Sequence, residues 1–595
     1  MLGLTTDEET VDDDVVDDDT TDSDTTDGDD DDDGDGCGCR FSGAATVAPP
    51  PHVTTCQNVY SRNVNFGGYK MKLNRFSQLL LLIMMALLAI AFSGCGDADD
   101  DDNDDQPDSD DDAVDDDTVD DDDTGDDDTI DDDSGDDDSG DDDSSDDDTG
   151  DDDTGDDDTV LPDAYDGMNP SGKMLAEILG VSSHMSRGTA YSWKREFEIE
   201  KLVEANMTMV RTDFHWSNIE PEDNVWNFDG LDTMTDLCLD AGLEVTAIFL
   251  NSPDWATPSG LNDDIDPVEY ADYTGHLAEH YGDRIDNYEV WNEQNTSRFW
   301  KPEPNPEHYG TILKAAYTAV HENDPDATVI FGGLSGFEMK LFHEMGVWNF
   351  LYRVWEEHSD ICDYFDAMSI HPYSFLQQPC PEFDLDLGFY HYPSMLVMVE
   401  QVRNILNIMG CPDKEIQFTE VGWPSLIIND DRQAAYLARS LQFAMKAGVA
   451  IYDWYTFWDG SGSASLPTED YFGLFTYPED TEETDPKPSY MALIGASEIV
   501  GDAHYAGDLG EALGWDNGDY AYVLASDADL WTVALWHDGS MIFQETQVTI
   551  PFPDDVAAQW VLYDQDGEQI DSGETDAGEL VVTISGEVCY LQFGR

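Results

Sequence analysis

Between about Gly172 and Asp502, short β-rich runs alternate eight times with longer amphipathic stretches. The strand-like runs are Ile178 to Ser182, Thr208 to Asp213, Glu244 to Leu250, Tyr288 to Asn292, Thr328 to Gly332, Ala367 to His371, Ile416 to Glu420 and Ile451 to Phe457. Helical periods occupy Trp193 to Ala205, Leu231 to Ala241, Pro267 to Tyr281, Pro306 to Glu322, Trp348 to His358, Ser394 to Met409, Arg432 to Ala447 and Pro488 to Val500. Strands joined by crossovers this long pair in parallel. Repeated βα units of this number close into a barrel. The expected fold class is α/β, a (β/α)8 TIM barrel over 164–502. Past Gly501 the runs Tyr520 to Ala525, Leu530 to Trp536, Gln547 to Ile550, Trp560 to Tyr563 and Leu580 to Ile584 are separated by Asp/Gly turns, with no helical period. They predict a small antiparallel β-sandwich over 503–595 as an accessory domain.

The first quarter of the chain cannot join a core. Residues 96–163 are mostly aspartate in units of the DDDTG or DDDSG type, with almost nothing apolar to offset the entropy of ordering a backbone. They read as a disordered, self-repelling tether. Before it, Lys72 and Arg75 precede an apolar run from Leu79 to Phe92 and the small-residue site Ser93-Gly94-Cys95. At about fourteen residues the run is short for a bilayer of about 30 Å, so residues 71–95 are expected to be a cleaved signal. The terminal cysteine resembles a bacterial lipobox, which implies lipidation of Cys95 and a lipid anchor in a bacterial membrane, at the cell envelope or surface. Residues 1–70 are then upstream or non-mature sequence. Net charge is -110. From Tyr165 onward acidic residues still outnumber basic ones about four to one, which argues against nucleic acid as a partner. Cys362 and Cys411 each precede adjacent strands and are the first candidates for a disulfide.

Two motifs carry the chemistry. Tyr288-Glu289-Val290-Trp291-Asn292-Glu293 closes the fourth strand, and Phe418-Thr419-Glu420-Val421-Gly422-Trp423 closes the seventh. In such a barrel only the C-terminal strand ends converge on one mouth, so Glu293 and Glu420 are expected to face each other there. Two facing carboxyl groups are what splitting a sugar acetal requires. Other strand ends add Arg211, His215, Trp255, His371, Tyr373 and Trp458, and His184 and Trp193 follow the first strand.

The run Val290-Trp291-Asn292-Glu293, with Phe299-Trp300, Tyr309 and Asn323-Asp324-Pro325 after it, and Lys487-Pro488-Ser489-Tyr490 before the last helix, resembles the retaining glycoside hydrolases of clan A, most closely family 39. The resemblance spans about Leu179 to Leu493 and departs from the clan at Gln294, where proline is usual. It implies that Glu293 is the acid/base and Glu420 the nucleophile, that Arg211 and Tyr373 hydrogen-bond the nucleophile, and that Asn292 bonds the sugar 2-hydroxyl, with His371 orienting the network. No metal or cofactor is needed. Bland readings stand beside these: Arg211 as the neutraliser of a buried carboxylate, Tyr373 as a loop anchor, and Trp255, Trp300, Trp423 and Trp458 as core fillers rather than sugar platforms, with Trp458 the favoured platform. The expected partner is an extracellular poly- or oligosaccharide. The alternative is a non-catalytic glycan-binding protein on a degenerate barrel.

Overall fold

The computed structural model describes residues 164–594 apart from 188–191, 337–344, 374–379, 387–390, 463–466, 479–483, 516, 527–529, 539–543, 554–558 and 576–577. The targeting segment, Cys95 and the aspartate tether lie outside the described residues. Eight parallel strands close the barrel: β1 (Leu179–Ser182), β2 (Met209–His215), β3 (Glu244–Leu250), β4 (Asn287–Asn292), β5 (Thr328–Ser335), β6 (Ala367–His371), β7 (Glu415–Val421) and β8 (Tyr452–Tyr455). Each is followed by its crossover helix: α1 (Ser192–Glu204), α2 (Asp229–Asp240), α3 (Pro267–Tyr281), α4 (Pro306–Asn323), α5 (Val347–Glu357), α6 (Met395–Met409), α7 (Asp430–Ala447) and α8 (Pro488–Val500).

Local chemistry marks the helix ends. Asp266 and Asn305 cap α3 and α4, each just before a proline whose missing N–H costs nothing at that position. α7 starts with Asp430 and Asp431, carries Lys446 in its last turn and stops at Gly448 in the left-handed region. The strands are buried along nearly their whole length, as expected where helices cover one face and the barrel interior the other. β5 runs three residues past its expected end, because Leu334 and Ser335 still pair with Ile370 and His371 after a register shift. The expected Cys362–Cys411 disulfide is present.

The C-terminal part is antiparallel. β9 (Ala503–Asp508), β10 (Asp519–Ser526), β11 (Leu530–His537), β13 (Gln559–Tyr563), β14 (Gln569–Glu574) and β16 (Cys589–Gly594) form one sheet in the order β9-β10-β11-β16-β13-β14. The pair β12 (Thr546–Pro551) and β15 (Glu579–Ile584) covers its outer face through Val548, Ile550, Val582 and Ile584. Strands β9, β14 and β16 are not marked in the sequence; β14, for example, is a largely exposed polar edge without alternation. The inner face packs on the barrel at α7, where Phe443 meets Trp536 and Tyr522. Residues 164–172, assigned from sequence to the barrel, lie on this sheet instead: Tyr165 is buried against Trp531, and Ser171 pairs with Tyr505.

Candidate active site

Strand alternation points Arg211 and Asp213 of β2, Glu289 of β4, Ser369 and His371 of β6, and Thr419 of β7 toward the barrel interior. At the end of β4 the backbone leaves the strand region, with φ of 72° at Trp291 and 45° at Glu293. Non-glycine residues rarely hold such angles, and a tight set of contacts is needed to keep them there. The Glu293 N–H donates to the Gly333 carbonyl at 2.9 Å, and buried Gln294 donates its side-chain N–H to the Gly332 carbonyl at 2.8 Å. Gln294 thus ties the acidic strand end to β5 at the position where proline is usual.

Arg211 organises the floor. Its Nε donates to Glu289 Oε2 at 2.5 Å, its Nη1 to Ser182 Oγ at 2.9 Å and Glu420 Oε1 at 2.7 Å, and its Nη2 to Asn292 Oδ1 at 2.8 Å. The Tyr373 hydroxyl donates to the other Glu420 oxygen at 3.1 Å. Below, Thr419 donates its hydroxyl proton to Glu289 Oε1 at 3.1 Å, so at 3.1 Å it accepts from His371 Nε2. The opposite ring nitrogen then faces both carboxyl groups: Nδ1 lies 3.2 Å from Glu293 Oε1 and 3.5 Å from Glu420 Oε2. Oxygens of Glu293 and Glu420 approach within 4.8 Å of one another.

Burial would push the Glu420 carboxyl up, but positive charge on His371 and the Arg211 guanidinium outweigh it and hold the group below the ordinary carboxylate range. Burial keeps the Tyr373 phenol protonated as a donor. Asp453 of β8 lies in the same interior with both oxygens unpartnered among the described residues, and burial pushes its carboxyl well above the ordinary carboxylate range. Arg211 thus sits between the carboxyl groups of Glu289 and Glu420 on the floor. Glu293, His371 and Glu420 are also the described trio close enough to hold a metal ion.

Above this floor a cavity of about 470 Å³ opens, lined by Asn292, Glu293, Glu420 and Tyr373, by Phe299, Tyr455 and Phe472, and by polar groups from the β1 and β2 ends. Among the latter, Asp213 accepts from Arg187 Nε at 2.6 Å and contacts His184 Nδ1 at 3.1 Å. Burial opposes ionisation of Asp213, yet its hydrogen bonds to His184 and His215 and the Arg187 charge keep it well below its usual range.

A family model described as beta-galactosidase, glycoside hydrolase family 42, matches residues 187–294, ending one residue past Glu293. A family 39 glycoside hydrolase from the gut symbiont Bacteroides cellulosilyticus WH2 is 22% identical, with a TM-score of 0.57 over 71% of this chain and 82% of that one. A monomeric beta-xylosidase from Caulobacter crescentus CB15 is 15% identical, with a TM-score of 0.51 over 71% and 97%. The barrel fold is shared. No curated protein matches the sequence.

The structure brings Glu293, Glu420, Arg211, Asn292, His371 and Tyr373 into one network. It places the tryptophans elsewhere. Trp300 is fully enclosed, donates to Asp263 at 3.1 Å and packs edge-on to Trp291, so it offers no face to a sugar. Trp255 donates to the Glu220 carbonyl and sits edge-on to Trp216. Trp458 donates to buried Glu198 and stacks on Phe197. None of the three lines the cavity; its aromatic walls are Phe299, Tyr373, Tyr455 and Phe472. Trp423 is a packing residue, buried beside Trp454. Sequence reasoning missed Glu289. The signal was present, since a carboxylate inside an apolar strand needs a buried cation, and Arg211 is the strand residue able to supply it.

Proposed function

We propose that this chain is a retaining glycoside hydrolase that cleaves β-glycosidic bonds by double displacement. The observation that carries the proposal is that one oxygen of Glu293 and one of Glu420 lie within 4.8 Å of each other across a shared cavity. Retaining pairs stand about 5 to 5.5 Å apart, whereas inverting pairs leave about 6.5 to 9.5 Å for a water. Glu420, ionised and aimed by Arg211 and Tyr373, attacks the anomeric carbon. Glu293 protonates the departing oxygen and then takes the proton of the incoming water. His371 Nδ1, 3.2 Å from Glu293 Oε1, orients that carboxyl toward the departing oxygen.

The matched family and the similar folds make β-galactosides and β-xylosides the first substrates to try. The Leu79–Cys95 segment supports export and lipid anchoring at Cys95, which a Cys95→Ala variant released in soluble form tests. For the mechanism, a 2-deoxy-2-fluoro glycoside with an activated leaving group should add one sugar mass to the protein, mapped to Glu420, and NMR should show the β-anomer released first. An initial α-anomer, or an unaltered rate in Glu420→Gln, overturns the proposal. Glycan binding without turnover in the wild type supports the binding-protein alternative.

A further inference from the structure

Among the described residues, an exposed ion pair joins opposite sides of the barrel mouth. In the strand order β4 and β8 stand across from each other. Arg298, in the loop after β4, donates from Nη1 to Glu469 Oε1 at 3.2 Å, and Glu469 belongs to the loop after β8. Both side chains line the cavity that holds Glu293 and Glu420. The two loops are anchored behind them. Asn295 bonds the Ser335 and Met345 carbonyls at 2.9 and 2.8 Å and accepts the Ser335 N–H. On the other side, the Tyr471 carbonyl receives the Ser425 N–H at 3.0 Å, Gln433 at 3.1 Å and Lys487 at 3.2 Å. Among the described residues, the span between these anchored segments falls to the two side chains.

We propose that the Arg298–Glu469 pair is a strap across the active-site mouth that restricts the enzyme to chain ends. This rests on the glycosidase reading. A polymer cut in its interior runs on past both sides of the Glu293–Glu420 pair and has to pass the strap, whereas a chain end or a small glycoside enters beside it. Arg298 is 54% exposed and Glu469 25%. An exposed pair of this kind favours its closed form by only about one- to fivefold, so the strap holds a preference and still releases product. The guanidinium also lies over the Phe299 ring, 5.2 Å from its centroid, so it closes against an aromatic wall of the cavity.

The test uses nitrophenyl β-xyloside, β-glucoside and β-galactoside to find the accepted sugar, then the matching polysaccharide with its reducing ends reduced and labelled. The wild type is expected to release terminal sugar with little early loss of viscosity. Arg298→Ala and Glu469→Gln are each expected to raise the ratio of internal to terminal cuts about two- to sixfold, the gain available when a pair closed about one- to fivefold over open is removed, and the charge swap R298E/E469R to restore the wild-type ratio. Internal cutting by the wild type from the first minutes, or single variants with unchanged products, overturns the strap. If no substrate turns over, the glycosidase reading fails. The strap is then judged by calorimetric stoichiometry on the same polymers: one site per chain end in the wild type and many in Arg298→Ala supports it, and equal stoichiometry overturns it.

Discussion

Replacing Arg211 by methionine removes the sole guanidinium among the described hydrogen-bond partners of Glu289 and Glu420 while keeping much of the side-chain volume. Both carboxylates are enclosed, Glu289 fully and Glu420 to 13% exposure. Deleting one partner of a buried ion pair costs about 3–5 kcal/mol, because the other charge is left without compensation. For a barrel of roughly 330 residues the unfolding entropy is about 0.7 kcal/mol/K, so a 4 kcal/mol loss lowers Tm by about 6 °C. The pH dependence discriminates this cause from lost packing. In the wild type the folded Glu420 carboxyl lies below its unfolded value, so its stabilisation is present above about pH 4.3 and fades as pH falls through the folded value. In the variant the Arg211 charge is gone and His371 and His184 oppose burial without it, so the group rises and its stabilisation above about pH 4.3 shrinks. Calorimetric scans should show the gap between wild type and variant widest near pH 7 and narrowing toward pH 4, and Glu289→Gln added to the variant should recover part of it. A gap that ignores pH, or a Tm loss under about 2 °C, refutes the assignment of Arg211 as the charge that holds the floor.

A Cβ at Gly333 would stand 2.0 Å from His371 Nε2; Gly333→Ala should therefore displace the imidazole, cost about 1–3 kcal/mol by overpacking and lower kcat about 10²-fold through misplacement, read by steady-state kinetics beside a melting curve. Burial lifts buried Glu198 to about 7, against hydrogen bonds from Ser183 and Trp458. Its folded value exceeds the unfolded one, so stability falls as pH rises from about 4.3 to about 7. Glu198→Gln should flatten that fall, by about 4 kcal/mol at 1.36 kcal/mol per tenfold change in proton affinity; identical pH curves for the two proteins would contradict this. Cys362 and Cys411 close a loop of 49 residues, worth about 4 kcal/mol in chain entropy, and the double alanine variant should melt correspondingly lower in denaturant titrations.

Much of the architecture was legible because it is written in local periods. The βα alternation, the proline and asparagine starts of α4 and the glycine stop of α7 depend on residues near one another in the chain, so strands β3 and β6 and helices α3 and α8 match their expected bounds. The two glutamates were legible for the same reason: each closes a strand, and strand ends in a barrel have one place to go. The tryptophans show where such reading stops. Trp300 and Phe299 are neighbours in sequence, yet Trp300 turns inward to Asp263 while Phe299 lines the cavity. Composition cannot separate a platform from a core filler, because both demand the same apolar ring.

The sequence by itself determined the barrel, the accessory sheet and the carboxyl groups that face each other at the mouth, since these follow from periodicity and strand order. Only tertiary structure decided the partners. Arg211 reaches Glu289 across 78 positions and Glu420 across 209, and Arg298 reaches Glu469 across 171. No local pattern encodes such pairings, because closure of the barrel brings these charges within a few ångströms, and burial then makes each depend on the others.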